Sequence, residues 1–79
     1  MYLLKARGKK ALQVLAKGGQ IIVRLEPDYF GHEKWRYRLQ DKDGTYLPFG
    51  VNTFYDLKDG AYLTLLNSTS VSQYYGLRS

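Results

Sequence analysis

Apolar residues in the first part of the chain recur at helical spacing. At 100° per residue, Leu4, Gly8, Ala11, Leu12 and Leu15 share a face, with Leu3 and Val14 at its edge. Lys9, Lys10, Gln13 and Lys17 fall on the opposite side. The pattern predicts an amphipathic helix over residues 3–17. Gly8 weakens its middle by roughly 1 kcal/mol relative to Ala, so the first turn is expected to fray or to form an arm. Gly18-Gly19 should end the helix, because glycine accepts the left-handed conformation that closes one.

The period then changes to two. Ile21, Val23 and Leu25 alternate with Ile22 and Arg24, which predicts a strand over 20–26. Isoleucine on both of its faces places it centrally in a sheet. Residues 27–32, entered through Pro27, read as a loop. Over 33–40 the alternation is clean, with Trp35, Tyr37 and Leu39 on one side and Lys34, Arg36, Arg38 and Gln40 on the other. Asp41-Lys42-Asp43-Gly44 predicts a hairpin turn, and 45–49 should return as the partner strand, with Pro48 marking an edge or a strand end.

Residues 51–60 fit two patterns. One is a short helix, capped by Asn52 or Thr53, with Phe54 and Leu57 on one face and Gly60 at its end. The other is a hairpin around Lys58-Asp59-Gly60. The helix is the favoured reading. A strand over 61–66, a polar turn over 67–70 and a last strand over 71–77 complete the chain. The expected fold is α+β: an N-terminal amphipathic helix, a three-stranded antiparallel meander, a short second helix and a C-terminal β-hairpin, in the order α-β-β-β-α-β-β. With 79 residues the chain makes one compact domain. Such a domain hides only about 60–65% of its unfolded surface, enough for one small core.

The run Leu12-Gln13-Val14-Leu15-Ala16-Lys17-Gly18-Gly19-Gln20-Ile21 resembles the N-terminal motif of the YjhX-like family of small bacterial toxin-like proteins. In that family a helix ending in a similar Val-Leu-Ala-Lys-Gly-Gly run precedes a hairpin, a second helix with a Phe…Leu…Leu pattern and a final hairpin carrying a tyrosine. Phe54, Leu57 and Leu63 match the second helix, and Tyr75 matches the late tyrosine. The family's second helix is lysine-rich, whereas Asp56, Lys58 and Asp59 stand here, and the family has a longer C-terminal tail. The resemblance implies a winged-helix-like order of elements and a toxin or regulator role.

Charge narrows the choice of partner. The net charge is +5. Residues 1–25 carry six bases and no acid, and residues 26–79 carry six bases and seven acids. So uneven a layout points to an anionic partner such as nucleic acid. It also fits a solvated helix face that keeps a small protein soluble. Lys5, Arg7, Lys9, Lys10 and Lys17 are the candidate phosphate anchors, with Arg36 and Arg38 as secondary contacts. Four or five phosphate contacts would give a log–log salt slope near about −4. Within 33–40 the rings and the arginines point to opposite sides. One face should therefore not offer both stacking rings and phosphate anchors, and Trp35 and Tyr37 are expected in the core. In a winged-helix comparison the second helix would read bases. Only Asn52 and Thr53 could do so here, which argues against strong sequence-specific reading.

Eight tyrosines exceed what one small core needs, and tyrosine favours interfaces. Tyr29, Phe30, Tyr55, Tyr62, Tyr74 and Tyr75 are the candidate protein contacts. A homodimer through the edge strand 45–49 is a further option, so monomer and homodimer both stay open. Enzyme chemistry has little to build on. His32 is the single histidine, cysteine is absent and no Gly-rich phosphate loop occurs. Glu26, Asp28, His32 and Glu33 lack a metal-site spacing and read as a polar loop. No catalytic residue, metal or cofactor is assigned. No apolar run approaches the ~20 residues of a membrane span. Met1-Tyr2-Leu3-Leu4 precedes the basic cluster, the reverse of a secretory signal, and the expected location is cytoplasmic. The expected function is that of a small non-catalytic prokaryotic or phage regulator that binds nucleic acid through its basic first helix. The alternative is a protein-binding inhibitor or toxin-like module with an exposed tyrosine-rich surface.

Overall fold

The computed structural model describes residues 5–78. The order of elements is α1 (Ala6–Ala16), β1 (Gln20–Pro27), β2 (Glu33–Gln40), β3 (Tyr46–Leu47), α2 (Val51–Asp59), β4 (Leu63–Ser68) and β5 (Ser72–Leu77). This is the α+β order expected, with 51–59 helical rather than a hairpin. Leu3 and Leu4, the expected start of the first helix, lie outside the described residues.

The five strands form one antiparallel sheet in the order β3-β2-β1-β5-β4. The C-terminal hairpin is thus not a separate ribbon, because β5 pairs with β1 and makes β1 the central strand. That position suits a strand whose Ile21, Ile22 and Val23 are all buried. Both helices pack on the face that carries Ile21, Val23 and Leu39, and Ala11, Leu15, Phe54 and Leu57 complete the core. Ile21 and Leu57 have no exposed surface. Gly8 and Ala11 are also buried, so the small residues of α1 let its backbone sit close to the layer beneath.

The two helix ends are closed differently. After α1, the Gly19 N–H donates to the Val14 carbonyl at 3.0 Å and the Gly18 N–H to the Leu15 carbonyl at 3.1 Å. Gly18 takes a left-handed φ of 102°, which completes a Schellman motif. α2 ends at Gly60 as expected, and the left-handed residue is the next one, Ala61, at φ 61°. Gly60 is needed for space: a β-carbon there would stand 2.6 Å from the Tyr62 ring. At the other end of α2 neither Asn52 nor Thr53 is the cap. Gly50 takes that place, with no side-chain hydrogen bond.

Two further expectations are corrected. The return strand β3 is only two residues long, since Pro48 has no N–H to add to the ladder. β3 forms one edge of the sheet, as Pro48 predicts, and the longer β4 forms the other. Trp35 is 42% exposed and lies outside the core, whereas Tyr37 packs against it.

Candidate functional site

Two basic surfaces flank the sheet. The first is α1. Its buried stripe turns Lys9, Lys10 and Lys17 outward, with Lys5 and Arg7 on its flanks, and all five are exposed. Among the described residues, the ion pairs join Lys34 and His32 to Asp28 and Arg38 to Glu26, and none reaches α1. Among the described residues, the cations of the helix therefore have no carboxylate within ion-pair distance. Arg7 and Lys10 stand at the rim of a groove of about 450 Å³ between α1 and the β3–α2 connection. Its floor is apolar, formed by Ala11, Leu39, Leu47 and Phe49.

The second surface is the sheet face turned away from the helices. Strand alternation puts Arg24 and Glu26 of β1 there, together with Lys34, Arg36 and Arg38 of β2. Arg36 and Arg38, expected to extend the helix site, therefore lie on the opposite side of the sheet from α1. Sequence reasoning also overlooked what arrives from neighbouring strands. β3 brings Tyr46 to this face beside Gln40, and β5 brings Tyr74 beside Ile22. So rings and guanidinium groups do share one face, although no single strand supplies both. The signal was present in the period-two pattern, but it needed the pairing of β1 with β5, about fifty residues apart in sequence.

Specific contacts order this surface. Arg38 makes a two-pronged ion pair with Glu26, one arm at 2.8 Å, and its guanidinium carbon lies 5.8 Å from the centre of the Tyr46 ring. Glu26 is opposite Lys34 in the ladder, so both side chains of this pair stretch along the sheet to meet. The Arg38 guanidinium holds the Glu26 carboxyl below its ordinary range. Arg24 donates a long hydrogen bond, 3.4 Å, to the Tyr74 hydroxyl, and that bond is the main cause of a lowered Tyr74 pKa. Arg24 and Arg36 are direct cross-strand partners, and among the described residues neither has an ion pair.

The candidate protein contacts do not gather into one patch. Tyr29 and Phe30 cap the β1–β2 hairpin, 95% and 79% exposed, with their rings edge to face. Asp28 organises that loop by accepting the Phe30 and His32 N–H groups, each at 2.9 Å. Tyr55 lies on α2 against Tyr37 and Phe54. Tyr62 and Tyr75 pack against the core, and Tyr74 is on the open sheet face. Glu26 and Asp28 are engaged by Arg38 and by the loop backbone, and among the described residues no cluster of metal-ligating side chains forms. No described helix is long and apolar enough to cross a membrane. The chain matches no family model, no curated protein and no solved structure.

Proposed function

We propose that this chain is a small non-catalytic regulatory protein, prokaryotic or phage in type, that binds nucleic acid through α1. The observation that carries the reading is the row of exposed cations on one rigid helix with no carboxylate partner among the described residues. Such a helix binds phosphates by releasing their condensed counterions, and no sequence code is needed. Lys9, Lys10 and Lys17 are the central anchors, flanked by Lys5 and Arg7. The α2 helix adds little, since only Asn52 and Thr53 could read bases and Thr53 is half-buried. A gel-shift assay with a short DNA duplex at about 50 mM salt tests the reading, because phosphate-driven binding is strongest at low salt. The expected result is a shifted complex that is lost when Lys9, Lys10 and Lys17 are all changed to Glu. A wild-type chain that leaves the duplex unshifted, or a variant that shifts it equally, overturns the reading.

The second reading is a protein-binding inhibitor or toxin-like module. It draws on Tyr29 and Phe30, whose exposure at a hairpin tip held by Asp28 is unusual for two large rings.

A further inference from the structure

We infer that the open sheet face is a second nucleic-acid surface, built for single strands, in which Arg24 and Arg36 take a phosphate and Tyr46 and Tyr74 stack bases. The inference rests on the reading of the chain as a nucleic-acid binder but names a different site and a different form of the ligand.

The strongest indication is the Arg24–Arg36 pair. Their Cα atoms are direct partners in an antiparallel ladder, and like charges so placed cost stability that a bound anion would restore; the Arg24 side chain leans to Tyr74 on the far side of β1. Glu26 is near enough to act on both arginines, but its carboxylate is bonded to Arg38, so one acid serves three guanidinium groups. The pair lies on β1 and β2, and two tyrosines share its face further along the strands: Tyr46 stands opposite Gln40, four residues from Arg36, and Tyr74 stands opposite Ile22, two residues from Arg24. Tyr46 is on β3, 55% exposed, and Tyr74 is on β5. Three strand spacings separate β3 from β5, about 14 Å. A single strand running obliquely over this face would meet the two rings and then the two arginines further along the strands. Aromatic platforms with cations beside them bind single strands with little sequence preference. Arg24 pins the Tyr74 hydroxyl and Arg38 lies against Tyr46, so both rings are positioned before any ligand arrives.

A duplex does not suit this face, because its bases are stacked inside and cannot reach the rings. A second copy seated about a twofold axis at the Arg24–Arg36 pair would set the pair against its own image and leave the charge unmatched. An acidic peptide would satisfy the arginines but would leave the two rings without a role.

Fluorescence anisotropy with labelled twelve-residue oligo-dT and oligo-U probes tests the inference. Variants Tyr46→Ala, Tyr74→Ala and the double R24A/R36A are compared with the Lys9/Lys10/Lys17→Glu helix variant, each with its thermal midpoint measured to confirm folding. Either tyrosine variant should weaken binding about 5- to 150-fold, as expected for loss of one stacked base. The arginine variant should weaken it at least as much, and the helix variant should retain most of it. The two probes separate DNA from RNA preference, and binding of either one counts as support. Three results overturn the inference: no binding of either probe by the wild-type chain, full binding by folded sheet variants, or equal capture of poly-glutamate with no effect of the tyrosines. If the duplex is bound and single strands are not, only this inference fails. If single strands bind through the sheet and the duplex is not bound, only the α1 reading fails.

Discussion

At the scale of single residues, the tyrosines divide by environment. The Tyr37 ring lies 4.9 Å from the Phe54 ring centre and 6.3 Å from that of Tyr55. Hydrogen bonding with Tyr55, helped by burial, pushes its phenol from 10.0 up to about 12. A phenol in the unfolded chain ionises near 10, so between about pH 10 and pH 12 the folded state holds the extra proton. The stability supplied by this contact is complete below the unfolded value and is lost as pH rises through the folded one. Tyr74 has the opposite sign, because Arg24 lowers its pKa: its contribution builds as pH rises through the folded value and is complete above the unfolded one. Urea midpoints between about pH 9 and pH 12 should therefore fall more gently in Tyr37→Phe than in the wild type, and more steeply in Tyr74→Phe. Parallel alkaline profiles for all three proteins would refute this division.

At the scale of elements, the local signals were dependable where one interaction dominates. The helical stripe ending in Gly18-Gly19 and the alternation over 33–40 gave α1 and β2 within a few residues, because a Schellman closure and a two-residue period are each set locally. The capping of α2 was not legible: Gly50 occupies the cap, and a glycine competes there only through backbone conformation. Nor was the burial of Trp35. Trp35 shares a side of β2 with Tyr37 and Leu39, but burial depends on how far the covering layer extends. α1 has eleven residues and α2 nine, hence about 16 Å and 14 Å of helix. β1 and β2 have eight residues each and extend for roughly 26 Å. The far end of this hairpin outruns the helices and leaves Trp35 beyond them, while Leu39, 3% exposed, sits under them. Leu39→Ala should cost about 2–5 kcal/mol of unfolding free energy as a cavity forms. Trp35→Ala should cost about 1 kcal/mol or less, as for a surface change. Denaturant titrations decide the point, and a larger loss for Trp35 than for Leu39 would mean that the hairpin end is covered.

At the scale of the whole molecule, the sheet separates two cationic surfaces that look in opposite directions. The sequence located the helix charges, because α1 is continuous in the chain. It could not assemble the second surface, whose members come from β1, β2, β3 and β5 and meet only through a long-range pairing. The separation makes the two surfaces independent in their response to salt. Each phosphate neutralised contributes about −0.9 to the log–log slope on duplex DNA. Changing Lys9, Lys10 and Lys17 to Gln removes three outward charges, so the duplex slope should become shallower by about 2 to 3. Arg24→Ala with Arg36→Ala should leave that slope within about one unit of the wild type, since those side chains point away from a duplex held on α1. Additive losses from both variants on the same duplex would require one ligand to touch both sides of the sheet at once. In that case the molecule would be wrapped by its partner rather than docked along a single helix.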